Sequence, residues 1–130
     1  MNLSTDQPEG SGNGPVILLV EDDDSTRPLL ARLLQTRGFR TREARNGAEG
    51  LDSLQRHQDI SVVVLDFHMP LTNGQWFRER QLADPAIARV PVVVFTGRMD
   101  LPEDFPVADV LFKPLSIDQL CAAVERYCRN

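Results

Sequence analysis

Three apolar runs, VILLV (16–20), ISVVVLD (60–66) and VPVVVFTG (90–97), predict an α/β domain with a parallel sheet covered by helices on both faces. Each run is continuous rather than alternating, as expected of a strand buried on both sides. Each is followed by a helical pattern or a turn, and each ends in a side chain capable of chemistry. A chain of 130 residues can bury a core of this kind without disulfide or metal staples, so a single domain is expected.

The elements follow in order. Residues 1–14 are rich in Gly, Ser, Asn and Asp and carry no apolar cluster, so they are expected to form a flexible tail. The domain proper is expected over 15–130. After VILLV and four acids, Glu21 to Asp24, comes STRPLLARLLQTRG. Leu29, Leu30, Leu33 and Leu34 fall at helical spacing, Asp24 or Ser25 is the expected cap, and Pro28 lies in the first turn where its missing N–H is harmless. FRTREA (39–44) is polar for a strand and is placed at a sheet edge, where its arginines would oppose edge-to-edge pairing. NGAEGLDSLQRH gives a second, weaker helix, with His57 expected to be solvated at its end. The turn MPLTNG leads into a helix from about Gly74 to Leu82, with Phe77 inward and Trp76 sideways or outward. ADVLFKP (108–114) supplies a last short strand. Ser116 and Gln119 then form a capping box for a final helix that points Ile117, Leu120, Cys121, Val124 and Cys128 inward.

Composition excludes several functions. Nineteen acidic against 14 basic residues leave a net charge of -5, which argues against direct nucleic-acid binding. No apolar run can span a bilayer and the N-terminus does not read as a signal peptide, so a cytoplasmic location is expected. Cys121 and Cys128, seven apart and without a nearby histidine, suit neither a zinc site nor a redox pair and are read as small apolar side chains.

In a sheet of this class ligands sit beyond the carboxyl ends of the strands. Reading those ends gives Glu21 and Asp22, then Asp66, then Thr96, then Lys113. Three carboxylates brought together require a cation, and an oxygen-only donor set points to Mg²⁺. A carboxylate nucleophile, a hydroxyl, an ammonium and Mg²⁺ at one place can carry out phosphoryl transfer. Lys113 adds weight because it is the sole lysine beside 13 arginines, which marks a position requiring a compact ammonium.

LLVEDD (18–23), VVVLDFHMP (62–70), VVVFTG (92–97) and LFKP (111–114), in this order and each at a strand end, resemble the receiver domain of two-component response regulators. The resemblance covers residues 15–130. It implies a flavodoxin-like, doubly wound five-stranded parallel sheet of order 2-1-3-4-5. It further implies that Asp66 accepts the phosphoryl group in a Mg²⁺-dependent reaction. Asp22 would ligate the ion directly, Glu21 mainly through water, and Asp66 and the backbone carbonyl of His68 would complete the protein ligands. Thr96 and Lys113 would contact phosphoryl oxygens, and the Lys113–Pro114 peptide would be cis. The donor would be a phosphohistidine on a sensor histidine kinase or a histidine phosphotransfer protein, and output would be altered binding of a downstream protein or phosphorelay.

The residues around the site have plainer readings. Asp23 and Asp24 favour the N-terminus of the first helix. His68 has no partner that would make it a zinc ligand, though its side chain borders the site and could tune loss of the phosphoryl group. Haloacid dehalogenase-like phosphatases also place an aspartate nucleophile at a strand end, but they need an acid where this chain has His68. Arg37, Arg40, Arg42 and Arg45 are read as edge protection.

Two departures fall on the face that signals in that family. Val110 stands where an aromatic ring is usual, and RMDLPEDFPVAD, with Pro102 and Pro106, predicts a short or irregular fourth helix. Output is therefore expected through another surface or through loop ordering. With no residues after Asn130, a stand-alone receiver is expected. The alternative is a receiver-like interaction module that no longer needs phosphorylation.

Overall fold

In a computed structural model, residues 7–69, 72–97, 101 and 104–128 are described. β1 (Val16–Val20), β2 (Arg40–Ala44), β3 (Ile60–Asp66), β4 (Val92–Thr96) and β5 (Asp109–Phe112) alternate with α1 (Thr26–Thr36), α2 (Gly47–Arg56), α3 (Gly74–Leu82) and α4 (Ile117–Cys128), except that β4 and β5 follow each other directly. The strands form one parallel sheet in the order β2-β1-β3-β4-β5. This is the predicted order.

Alternate residues of the apolar runs serve opposite faces, as pleating requires. Val16, Leu18, Val20, Val63, Leu65, Val92 and Val94 pack with Leu51, Leu54 and Phe77 of α2 and α3. Ile17, Leu19, Val62, Val64, Val93 and Phe95 pack with Ala31 and Leu34 of α1 and with Leu120, Cys121, Ala123 and Val124 of α4. Of the leucines at helical spacing in α1, Leu34 is buried and Leu29 is exposed. Both cysteines are free, and burial pushes the Cys121 thiol up and the Cys128 thiol up to about 11, as befits apolar filler.

No helix lies between β4 and β5 among the described residues, in line with the expected loss of the fourth helix. Pro102 falls outside the described residues. Leu101, Phe105 and Val107 cover the sheet there instead. The segment is held from α3: Arg78 donates through Nε to the Pro106 carbonyl and through Nη1 to Gln81 Oε1 at 2.7 Å. The buried Gln81 in turn donates to the carbonyls of Ile87 and Val90, both at 2.9 Å.

Several local expectations change. The side chain that accepts from the Thr26 N–H at the start of α1 is Asp23, at 2.9 Å, whereas Ser25 makes no side-chain cap bond and Asp24 pairs with Arg27 at 2.8 Å. His57 is half-buried, with Nδ1 3.0 Å from the Ser53 carbonyl, rather than solvated. Trp76 is half-buried against the α2–α3 core, with the Arg80 guanidinium 4.6 Å from its ring centre. Within the segment expected to be flexible, Glu9 exchanges two backbone hydrogen bonds of 2.8 Å with Thr41, so an antiparallel contact occupies part of the open edge of β2. Arg40 donates to the Gly14 carbonyl at 2.9 Å and Arg42 pairs with Asp59 at 2.7 Å, so the edge arginines are engaged as well as charged. No helix among the described residues is long and apolar enough to cross a membrane.

Candidate functional site

The carboxyl ends of β1, β3, β4 and β5 meet at one end of the sheet because parallel strands in adjacent register finish together. Backbone hydrogen bonds continue the ladder past the strand ends. Glu21 donates to the Ala44 carbonyl at 3.0 Å, Phe67 to Phe95 at 3.1 Å, and Lys113 to Thr96 at 2.8 Å. This ties each loop that carries a predicted site residue to its neighbour. α3 closes onto the same end, with the Gly74 N–H 2.9 Å from the Phe67 carbonyl. A Cβ at Gly74 would lie 2.6 Å from Phe67 Cδ1, so only glycine allows that approach without displacing the residue after Asp66.

Glu21, Asp22 and Asp66 each present an oxygen within 4.8 Å of the others. Glu21 and Asp66 are buried and Asp22 is exposed, so the cluster opens to solvent on one side. Lys113 Nζ stands 3.5 Å from Asp66 Oδ2 and 5.2 Å from the Phe95 ring centre. The Lys113–Pro114 peptide is cis, as the resemblance implied. Thr96 is fully buried as the last residue of β4, beside these groups. The His68 N–H donates to Asp66 Oδ1 at 3.3 Å, and its ring meets Phe67 edge-on at 5.0 Å. The predicted residues are thus assembled at one end of the sheet, with Glu21, Asp22, Asp66 and Lys113 in one polar cluster.

One ammonium against three carboxylates leaves excess negative charge, and burial raises the cost. Burial is the main force pushing the Glu21 carboxyl up to about 7, with Asp22 and Asp66 adding to it and the Asp23 N–H and Lys113 opposing it. Burial also raises Asp66, against the pull of Lys113 and the His68 N–H. A raised carboxyl binds its proton more tightly in the folded chain than in the unfolded one. In chelator, the fold is therefore expected to gain up to about 3 kcal/mol as pH falls from about 8 toward 4.5, and to lose it again on return. Asp59, held low by Arg42, acts in a separate window, because its contribution is lost only below the ordinary aspartate value. Thermal midpoints measured across pH in chelator check this; a midpoint that falls steadily from pH 8 to 5 would contradict it.

Arg27 was not among the predicted site residues. It is buried and donates to the Glu21 carbonyl at 3.0 Å, to Asp24 at 2.8 Å and to Glu43 on β2 at 3.2 Å. Its i,i+3 spacing from Asp24 was visible in the sequence, but its reach to Glu43 was not. Phe105, also unassigned, meets Phe67 edge-on at 5.2 Å and so joins the β4–β5 segment to the residue after Asp66.

Comparison with known proteins bears on the fold and the family. The transcriptional regulatory protein GltR of Pseudomonas aeruginosa is 30% identical over 129 residues, covering 92% of this chain and 51% of GltR. The chain spans about half the length, or less, of the bacterial transcriptional regulatory proteins it matches, and 92% of the two-component response regulator ORR5 of Oryza sativa subsp. japonica. Among solved structures, the chemotaxis protein CheY4 of Vibrio cholerae superposes with a TM-score of 0.79 at 23% identity, covering 88% of this chain and 99% of that one. The receiver domain of the sensor histidine kinase PA1611 of Pseudomonas aeruginosa PAO1 superposes with a TM-score of 0.82 at 22% identity, covering 91% and 100%; it holds a magnesium ion coordinated in its active-site cleft. These likenesses show the fold. Residues 17–125, which run from β1 into α4 and contain every strand end considered above, match the response regulator receiver domain, and the chain belongs to that family of signalling domains.

Proposed function

We propose that this domain accepts a phosphoryl group on Asp66 in a Mg²⁺-dependent reaction and signals through the altered state of the surrounding loops. The observation that carries the proposal is the cluster itself: three carboxylate oxygens within 4.8 Å of one another, with one ammonium 3.5 Å from the central acid.

The residues fit a hard cation. The donors are all oxygens, and a bound cation would offset the burial and the Asp22 and Asp66 charges that raise the Glu21 carboxyl. Asp22 and Asp66 would hold Mg²⁺ directly, Glu21 mainly through water, with the His68 carbonyl as a further ligand. Bound Mg²⁺ would neutralise charge on the phosphoryl oxygens during transfer.

Asp66 forms the new bond to phosphorus in line with the leaving group. From a phosphohistidine donor the P–N bond breaks and its electron pair stays on the imidazole nitrogen. Lys113 holds a phosphoryl oxygen by its ammonium, and Thr96 donates its hydroxyl to another. The product is an aspartyl phosphate that water later cleaves, releasing inorganic phosphate and restoring the carboxylate. A sensor histidine kinase or a histidine phosphotransfer protein is the natural donor, and the recipient of the signal is a protein that reads the changed surface. With Val110 at the position of the usual ring, the Phe67–Phe105 contact offers an aromatic connection from the residue after Asp66 to the β4–β5 segment.

Intact mass after incubation with acetyl phosphate tests the proposal. A single phosphoryl adduct that requires Mg²⁺ and is discharged by hydroxylamine, as an acyl phosphate must be, is the expected result. Absence of an adduct at short times and low temperature would favour the phosphorylation-independent interaction module instead.

A further inference from the structure

The Mg²⁺ reading leaves one buried charge unexplained. Arg27 lies in the first turn of α1, and its guanidinium is shared among three acceptors on two pieces of chain: the backbone carbonyl of Glu21 and the Asp24 carboxylate in the β1–α1 loop, and the Glu43 carboxylate of β2. A guanidinium bonded to the loop that carries two of the candidate ligands adds positive charge beside a cation site, which by itself disfavours metal binding even though Asp24 and Glu43 partly offset it. Its retention there needs a compensating role.

We propose that Arg27 is a positioning residue for the metal-binding loop: it fixes residues 21–24 against α1 and β2 so that Glu21 and Asp22 face Asp66. The inference rests on the Mg²⁺ reading above and deepens it.

The loop has few other restraints on its outer side. The Glu21 N–H is anchored to Ala44 at 3.0 Å, and the Asp23 N–H donates to Glu21 Oε2 at 2.9 Å, which turns that carboxylate back along its own loop. Asp23 caps α1 through Thr26. None of these bonds fixes the Glu21–Asp22 peptide plane. The bond from Arg27 Nη1 to the Glu21 carbonyl does, because that carbonyl belongs to the peptide leading into Asp22. A planar fork is suited to such bracing, since Nη1, Nη2 and Nε reach different acceptors at once, which a lysine ammonium on a flexible stem cannot reproduce. Glu43 supplies the fixed end of the brace, lying on a strand paired in register with β1 (Leu19 opposite Glu43).

Charge and geometry predict opposite results, which makes the proposal testable. If Arg27 mattered to the metal only through its charge, its removal would tighten Mg²⁺ binding. If it positions the loop, its removal weakens binding, by about tenfold as for other residues that orient metal ligands without touching the ion. The experiment is a calorimetric titration of Mg²⁺ into the whole chain, well below the melting temperature, for the parent, Arg27→Met, Arg27→Lys and Arg42→Met. Arg42 also makes an ion pair from β2, with Asp59, but away from the loop, so Arg42→Met controls for general loss of stability.

The expected result is about tenfold weaker binding for Arg27→Met, a smaller loss for Arg27→Lys, and affinity within about twofold of the parent for Arg42→Met despite a lowered melting point. Unchanged or tighter binding in Arg27→Met, or equal weakening in Arg42→Met, would overturn the proposal. Should Arg27→Met fail to fold, Arg27→Lys decides, and parental affinity there overturns it. A parent chain that binds no Mg²⁺ would instead remove the reading on which the inference rests.

Discussion

An Asp66→Asn chain is expected to take up no phosphoryl group from acetyl phosphate at any Mg²⁺ concentration, and to be more stable than the parent in chelator. The first effect follows from chemistry. The amide is a poor nucleophile at phosphorus and cannot form the acyl phosphate. The second follows from the environment. Asp66 is buried, so desolvation opposes its charge, and that charge in turn pushes the neighbouring Glu21 carboxyl up. Asparagine has the same shape and keeps an oxygen for the His68 N–H, while removing one of three crowded charges. A gain of about 1 kcal/mol is expected from relief of that crowding. Intact mass reads the first effect and thermal unfolding in chelator reads the second. An adduct that persists in Asp66→Asn would move the acceptor to another residue. A large loss of stability would mean that the Asp66–Lys113 pair outweighs the repulsion.

Lys113→Met is expected to slow phosphorylation at saturating Mg²⁺ by about 100-fold, the scale at which removal of one preorganised donor acts on a charged transition state. Its ammonium stands 3.5 Å from the acceptor carboxylate, close enough to follow a phosphoryl oxygen when the group arrives. The same change removes a positive charge beside the candidate ligands, so Mg²⁺ binding is expected to stay the same or tighten. The two readouts therefore separate. A rate that falls only because Mg²⁺ binds more weakly would assign Lys113 to loop structure rather than to transfer. Lys113→Arg is expected to recover only part of the rate, since the planar fork places its charge differently from a compact ammonium.

The sequence announces the candidate site because β1 and β3–β5 are mostly apolar runs and the polar residue that ends such a run lies at the end of the sheet. Asp66 follows VVVL, Thr96 follows VVVF, and Lys113 follows DVLF. The same logic gives the strand order only through family resemblance, since periodicity does not say which strands are neighbours. Arg27 escapes it. An arginine on an amphipathic helix reads as solvated, and its burial depends on Glu43, sixteen residues away on another strand. The cap of α1 is ambiguous for a different reason: Asp23, Asp24 and Ser25 are all competent, and the turn geometry alone selects Asp23. Glu9 is invisible in the pattern because its attachment to Thr41 is made by backbone groups, which every residue type carries.

That the described residues between β4 and β5 form no helix was legible because prolines interrupt the segment, but what they form instead was not. Phe105 lies between Asp104 and Pro106, a context that gives no periodic signal, yet its ring reaches Phe67. Contacts made by one side chain from an irregular segment leave no trace in a helical or strand pattern.

The way the sheet gathers its polar end has a bearing on how the chain becomes competent. Glu21 and Lys113 come from near opposite ends of the sequence, and the last strand to be synthesised, β5, carries the ammonium to the acids. These are contacts of high sequence separation, so they close late and at an entropic cost that only the completed sheet offsets. A nascent or partly opened chain holds the acids apart from their counter-charge. On the proposed function, reactivity at Asp66 would report on docking of the final strand, and a chain in which β5 has not docked would be silent.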